Sequence, residues 1–188
     1  MTGSDPEVRV SRRRPRPLRP GDPVAVVAPA SPPRDLQRYA DGLQRLRAVY
    51  DVRMAYDPAT ARGYLAASDS QRAAALNAAI ADPEIRAILC VRGGYGSMRL
   101  LASIDWEQAR THPTVLVGYS DITALHLAFY QHAGWTSLSG PVVTEWPVPE
   151  AESALEGFQS VAQGAMPDLT TLGTHTLQPM QLGTAIGP

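Results

Sequence analysis

The residues best suited to chemistry in this chain are Ser120 and the glycine-rich run that precedes it. Residues Thr114 to Thr123 read Thr-Val-Leu-Val-Gly-Tyr-Ser-Asp-Ile-Thr. A short β-branched apolar segment passes through a glycine into a serine, and a helical pattern starts at once. That is how a nucleophilic serine is mounted, on a tight strand-to-helix turn with the helix N-terminus beneath it. The amide of Asp121 then falls where one oxyanion donor usually sits. A serine hydroxyl needs a base to become a useful nucleophile. The second segment is Arg92-Gly93-Gly94-Tyr95-Gly96. Its glycines let backbone amides come close to a ligand, and paired amides bind an oxyanion or a carboxylate.

Other readings of the same residues stay open. Ser120 also fits a helix N-cap, and Ile122 stands where the usual G-x-S-x-G elbow has its second glycine. Residues 92–96 also fit a plain turn. A phosphate loop is a weaker reading, because the Walker spacing, its lysine and the dinucleotide glycine spacing are all missing. All 17 basic residues are arginine. This excludes Schiff-base chemistry and a Ser-Lys dyad within the chain.

Four histidines are candidates for the base. His126 follows Ser120 by six residues on one helical pattern, too far to reach back to the hydroxyl. His132 lies near the end of that pattern. His112 sits in a loop before the strand, at the wrong end of it. His175 lies in a weakly patterned C-terminal stretch. Each is expected in a surface or capping role. None has the spacing of a metal site, so no metal and no cofactor are expected.

The elements that must position Ser120 alternate. Pro23 to Ala28 reads as a buried strand, Asp35 to Val49 as a helix, and Val52 to Ala55 as a short strand. Ser68 caps an alanine-rich helix, Asp69 to Ala81, which Asp82-Pro83 stops. Arg86 to Val91 is a further buried strand, and Ser97 to Ile104 begins a helix. Val115 to Val117 is a strand and Asp121 to Ala133 a helix closed by Gly134. Trp135 to Leu138 resembles a strand. Such alternation predicts an α/β fold, a mainly parallel flavodoxin-like or class-I glutamine-amidotransferase-like sheet with helices on both faces.

Three zones are expected. Residues 1–19 are an Arg/Pro-rich disordered tail, residues 20–141 the nucleophile-bearing domain, and residues 142–188 a linker to a missing C-terminal domain. Within the linker only Ser153 to Gln163 looks helical. A net charge of -1 gives no basic field for nucleic acid. No segment approaches a membrane span. Cys90 is the single cysteine, which excludes an internal disulfide and suits a reducing compartment.

Gly63-Tyr64-Leu65-Ala66, Arg92 to Gly96 and Gly118-Tyr119-Ser120-Asp121-Ile122-Thr123, in that order, resemble the LD-carboxypeptidases of the S66 serine peptidase class. This class includes muramoyltetrapeptide carboxypeptidase and the microcin C immunity peptidase. Leu18-Arg19-Pro20-Gly21-Asp22 and Ala28-Pro29-Ala30-Ser31 are similar too. The resemblance runs from about Leu18 to Pro141. It implies a Ser-His-Glu triad with Ser120 as nucleophile and an oxyanion hole from backbone amides, assigned here to Gly94 and Asp121. Arg92, Gly93 and Tyr95 are then expected to face the substrate. The resemblance also implies a cytoplasmic homodimer that needs no metal. Its reaction would release a terminal D-amino acid from the L,D bond of a murein tetrapeptide during cell-wall recycling. The family's Glu and His belong to a C-terminal domain, so neither is assigned to a residue of this sequence, and the 188 residues alone are expected to be inactive. The alternatives are a catalytically inactive muropeptide-binding or dimerisation module, and a microcin-type peptide-nucleotide immunity peptidase.

Overall fold

The computed structural model describes Ser11 and residues 13–165. His175 and everything from residue 166 onward lie outside the described residues. Five strands form one all-parallel sheet: β1 (Pro23–Val27), β2 (Asp51–Met54), β3 (Ala87–Cys90), β4 (Val115–Gly118) and β5 (Leu138–Ser139), in the spatial order β2-β1-β3-β4-β5. This is the flavodoxin-like order, in which ligands gather beyond the carboxyl ends of β1 and β3 where the winding reverses. The helices are α1 (Leu36–Arg47), α2 (Asp69–Ala81), α3 (Trp106–Thr111), α4 (Thr123–Ala133) and α5 (Glu152–Ala162).

The two faces of the sheet follow from the period of two along each strand. Val24 and Val26, Ala87 and Leu89, and Val115 and Val117 point to one face, where Tyr39, Leu43 and Leu46 of α1 and Leu155 and Phe158 of α5 cover them. Ala25 and Val27, Ile88 and Cys90, and Leu116 point to the other. There Leu76 and Ile80 of α2, Ala109 of α3, and Leu125 and Phe129 of α4 cover them. Strands sandwiched in this way must be apolar at every position, which is why they read as unbroken apolar runs rather than alternating ones. Cys90 is fully buried in the second layer, and that burial pushes its thiol pKa up, so it is packing and not a nucleophile.

Local chemistry sets the helix ends. Asp35 caps α1, its side chain accepting the Arg38 amide. Ser68 and Gln71 form a capping box on α2. Gly134 ends α4 with φ 71°. Ser97–Ser103 is a 3-10 helix rather than the start of an α-helix, and the short α3 that follows it is an element the apolar pattern did not reveal.

Two boundaries differ from expectation. The packed layer does not stop at Pro141: Val143, Trp146, Leu155 and Phe158 are buried core residues. The prolines there punctuate turns that carry the chain back over the sheet. Gly42 makes this possible, because a Cβ on it would stand 2.1 Å from the Val143 carbonyl oxygen. Arg45 then donates to the Trp146 carbonyl at 2.8 Å and pairs with Glu152, tying α1 to both the turn and α5. The stretch from Arg13 to Arg19, expected in a disordered tail, is likewise packed against the domain. The Arg13 amide donates to Gly134 O at 2.8 Å, and the Leu18 amide donates to Ala162 O at 2.8 Å. Leu18 is fully buried. The apolar anchor at Leu18 outweighs the polar, proline-rich composition around it.

Candidate functional site

Ser120 follows β4 by two residues and begins a 3-10 turn, Ser120–Ile122, that runs into α4. Its φ is 64°, and among the described residues no other non-glycine has positive φ. The left-handed region costs an L-residue about 1–2 kcal/mol, so the turn is held there by its surroundings. The N-cap reading is excluded by the geometry. The cap of the 3-10 turn is Tyr119 and the cap of α4 is Ile122, and neither end has a side-chain cap hydrogen bond. Ser120 is therefore an exposed hydroxyl on a strained turn, bonded to no cap amide.

The loop after β3 comes up beside it. A Cβ on Gly93 would stand 2.9 Å from the Ser120 Cβ and 3.2 Å from its Oγ. Gly94 has φ 117°, and a Cβ there would overlap Ser31 Oγ at 2.3 Å. Ser31, in the loop after β1, accepts the Tyr95 amide on its Oγ at 3.2 Å. Loops from three adjacent strands thus meet at one point, and only glycine fits at the junction. Arg72 of α2 holds two of them from below. Its buried guanidinium donates to Pro29 O and to Gly96 O and pairs with Asp69.

Asp121 contributes through its backbone. Its carboxylate accepts the Ser97 amide at 2.9 Å, and its carbonyl accepts the Ser97 hydroxyl at 2.6 Å. The side chain is thereby committed to holding the 3-10 helix. The Asp121 amide belongs to the first turn of a helix, whose leading N–H groups have no intrahelical acceptor.

The cavity at this junction is about 290 Å³, lined by Arg34, Arg38, Arg92, Gly93, Gly94, Tyr119, Ser120 and Glu145 among others. The structure brings Ser120, Arg92, Gly93 and Gly94 together around one cavity. It separates Tyr95, which is not among the lining residues and instead meets Tyr64 edge-on at 5.7 Å, with both rings exposed. Sequence reasoning did not single out Arg34, Arg38, Tyr119 or Glu145 at this site. Tyr119 donates its hydroxyl to Glu145 Oε1 at 2.5 Å, and that carboxylate, with a partial loss of solvent, raises the phenol's pKa. The parallel sheet places the loop after β1 at the same edge as those after β3 and β4, but which loops lie side by side there depends on strand order, which no local pattern around Arg34 reveals.

No histidine among the described residues lines the cavity. His126 is half-buried. Its Nε2 lies 2.8 Å from Gly118 O, and its Nδ1 lies 2.8 Å from Ser137 Oγ. A carbonyl only accepts, so Nε2 carries the proton and Nδ1 takes the hydroxyl hydrogen of Ser137. Desolvation lowers the pKa of His126 and keeps it neutral. It braces the end of β4, two residues before Ser120, and its donor is already used. His112 bonds Gln108 and Thr111 at the opposite end of β4, and His132 lies against Trp106 with ring centres 4.7 Å apart and the planes tilted by 37°. Among the described residues no group of three His, Cys, Asp or Glu could hold a metal ion, and no helix is long and apolar enough to cross a membrane.

Residues 24–140 match the family model of the LD-carboxypeptidase N-terminal domain of the S66 peptidases. The chain is 39% identical over 132 residues to a probable murein peptide carboxypeptidase of Bacillus subtilis, covering 70% of this chain and 41% of that protein. It superposes on an MccF-like protein of Bacillus anthracis with a TM-score of 0.73 at 29% identity, over 81% of this chain and 47% of that one. It also superposes on a muramoyltetrapeptide carboxypeptidase of Oxalobacter formigenes with a TM-score of 0.66 at 25% identity, over 74% of this chain and 47% of that one. The chain thus spans less than half the length of each of these three proteins.

Proposed function

The chain belongs to the S66 peptidase family through its LD-carboxypeptidase N-terminal domain, and on that premise we propose that it carries the nucleophile half of a serine LD-carboxypeptidase site. In this reading Ser120 attacks the carbonyl of the L,D amide that precedes the terminal D-residue of a murein tetrapeptide. The amides of Gly94 and Asp121 hold the oxyanion of the tetrahedral intermediate. The acyl-enzyme forms as the D-amino acid leaves, and water then releases the shortened peptide. As the family resemblance implies, the general base in this reading is a histidine oriented by a glutamate in a C-terminal domain; His112, His126 and His132 are each engaged elsewhere.

The observation that carries this reading is the left-handed backbone of Ser120, φ 64°, pressed against Gly93 at the meeting of three strand-end loops. Strain of this kind persists where a fold over-determines it for a purpose. The murein activity in the names of the Bacillus subtilis and Oxalobacter formigenes proteins supports the same substrate class. We assign the protein to the cytoplasm as a homodimer, with murein peptides rather than nucleic acid as its partner. The net charge of -1 accords with that choice. The test is release of D-alanine from a murein tetrapeptide by the full-length protein and its loss in Ser120→Ala. A microcin-type immunity role is the second reading, and the likeness to the MccF-like protein favours it. Turnover of a peptidyl nucleotide in preference to the tetrapeptide would select it.

A further inference from the structure

Three guanidinium groups, those of Arg34, Arg38 and Arg92, border the cavity of Ser120. The two carboxylates on the same wall are already engaged. Asp35 Oδ1 accepts the Arg38 amide at 3.0 Å as the cap of α1. Glu145 accepts the Tyr119 hydroxyl on Oε1 and the Val142 amide on Oε2, the latter at 3.2 Å. Among the described residues no salt bridge involves Arg34, Arg38 or Arg92.

Like charges gathered at one mouth repel, and the repulsion is stronger where water is partly excluded. Arg92 feels both effects: its partial burial lowers its pKa, and the charge of Arg34 adds to that. Arg38 is steadied by its Nε donating to Thr144 O at 2.7 Å, and Arg92 by its Nη1 donating to Pro32 O at 3.2 Å. Arg34 makes no hydrogen bond at all among the described residues, and it is exposed. A planar donor fork with no protein partner, bordering the same cavity as a second guanidinium, is suited to bind a carboxylate.

The position fits as well as the charge. The Arg92 Nη2 lies 3.5 Å from where a Cβ on Gly94 would stand. If the Gly94 amide holds the oxyanion, Arg92 flanks the scissile carbonyl. In a peptide, the α-carboxylate carbon of the leaving residue is three bonds beyond that carbonyl carbon, within about 4 Å.

We infer that Arg34 and Arg92 together receive the free α-carboxylate of the residue that leaves, with Arg38 as the positive wall behind them. This rests on the carboxypeptidase reading above and deepens it: the arginines restrict the site to peptides that end at the cleaved residue. An internal peptide bond, or a blocked C-terminus, presents no anion there and leaves the charges uncompensated.

The test uses the Ser120→Ala form of the full-length protein, titrated calorimetrically with a murein tetrapeptide ending in free D-alanine and with the same peptide as its C-terminal amide. The acid is expected to bind at least ~10-fold more tightly than the amide. Arg34→Gln, which removes an exposed side chain with no hydrogen bond and so leaves the fold intact, should weaken the acid alone. Arg92→Lys, which keeps the charge and loses the fork, should retain part of the preference. Equal binding of acid and amide, equal weakening of both by Arg34→Gln, or no binding of the acid would each overturn the inference. Failure of the nucleophile assignment reads differently: it appears as D-alanine release that survives Ser120→Ala, whatever the two peptides' relative affinity.

Discussion

Gly93 lies so close to Ser120 that a single methyl group on it would stand 2.9 Å from the serine Cβ and 3.2 Å from the hydroxyl oxygen. The loop after β3 and the turn after β4 therefore set each other's position. Gly93→Ala must displace one of them. The expected result is a fall in kcat/KM for D-alanine release of roughly a hundredfold, the cost of a displacement of about 1 Å at a reacting atom. Steady-state kinetics on full-length protein checks this. Circular dichroism should show the fold retained.

The backbone of Ser120 separates stability from activity. Ser120→Gly removes the Cβ penalty at φ 64°, and denaturant unfolding should show a gain of about 1 kcal/mol. Ser120→Ala keeps the penalty and should leave stability close to that of the parent. Both substitutions remove the hydroxyl and should abolish turnover. A Gly variant no more stable than the Ala variant would show that the turn is unstrained.

Much of the scaffold was legible in the sequence. Apolar runs at 23–28, 86–91 and 115–117 became β1, β3 and β4, because strands covered on both faces must be apolar throughout. The cap at Ser68 and the stop at Gly134 stood where side-chain and backbone chemistry put them. The site was legible only in part. Ser120 and the glycines declared themselves through local spacing. Arg34, Arg38 and Glu145 did not, because nothing local to residues 34 or 145 says that the loop after β1 and the turn after β5 end at the same edge. Strand order decides that, and it is not a local property. The packed stretch from Val142 to Ala162 was hidden for a similar reason. Its turns are proline-rich, and its burial depends on the gap that Gly42 leaves in α1.

Gly42 supplies a stability prediction. A methyl group there would fall 2.1 Å from the Val143 carbonyl oxygen, a backbone atom that moves only with its turn. Gly42→Ala should destabilise the protein by about 1–3 kcal/mol despite the better helix propensity of alanine. Because Arg38 donates to Thr144 O on the same turn, acid-selective binding should weaken as well. Denaturant unfolding, with calorimetry on the folded fraction, measures both.

His126 makes stability depend on pH. Burial lowers its pKa in the folded protein, so the unfolded chain binds more protons between the folded value and the ordinary value of about 6.5. The contribution of His126 is complete above pH ~6.5 and is lost as pH falls from there through the folded pKa. His126→Gln, which still reaches Gly118 O, should flatten this part of the curve. Unfolding free energies measured between pH 5 and pH 8 test it, and an unchanged slope would remove His126 as the cause.

The central claim is that Ser120 is the nucleophile of a murein LD-carboxypeptidase. The most direct measurement is D-alanine release from a murein tetrapeptide by full-length protein, parent against Ser120→Ala. The account predicts turnover by the parent and a loss of about 10⁴-fold or more in the variant, the scale on which removal of a triad nucleophile acts. Turnover unchanged by the substitution would contradict it.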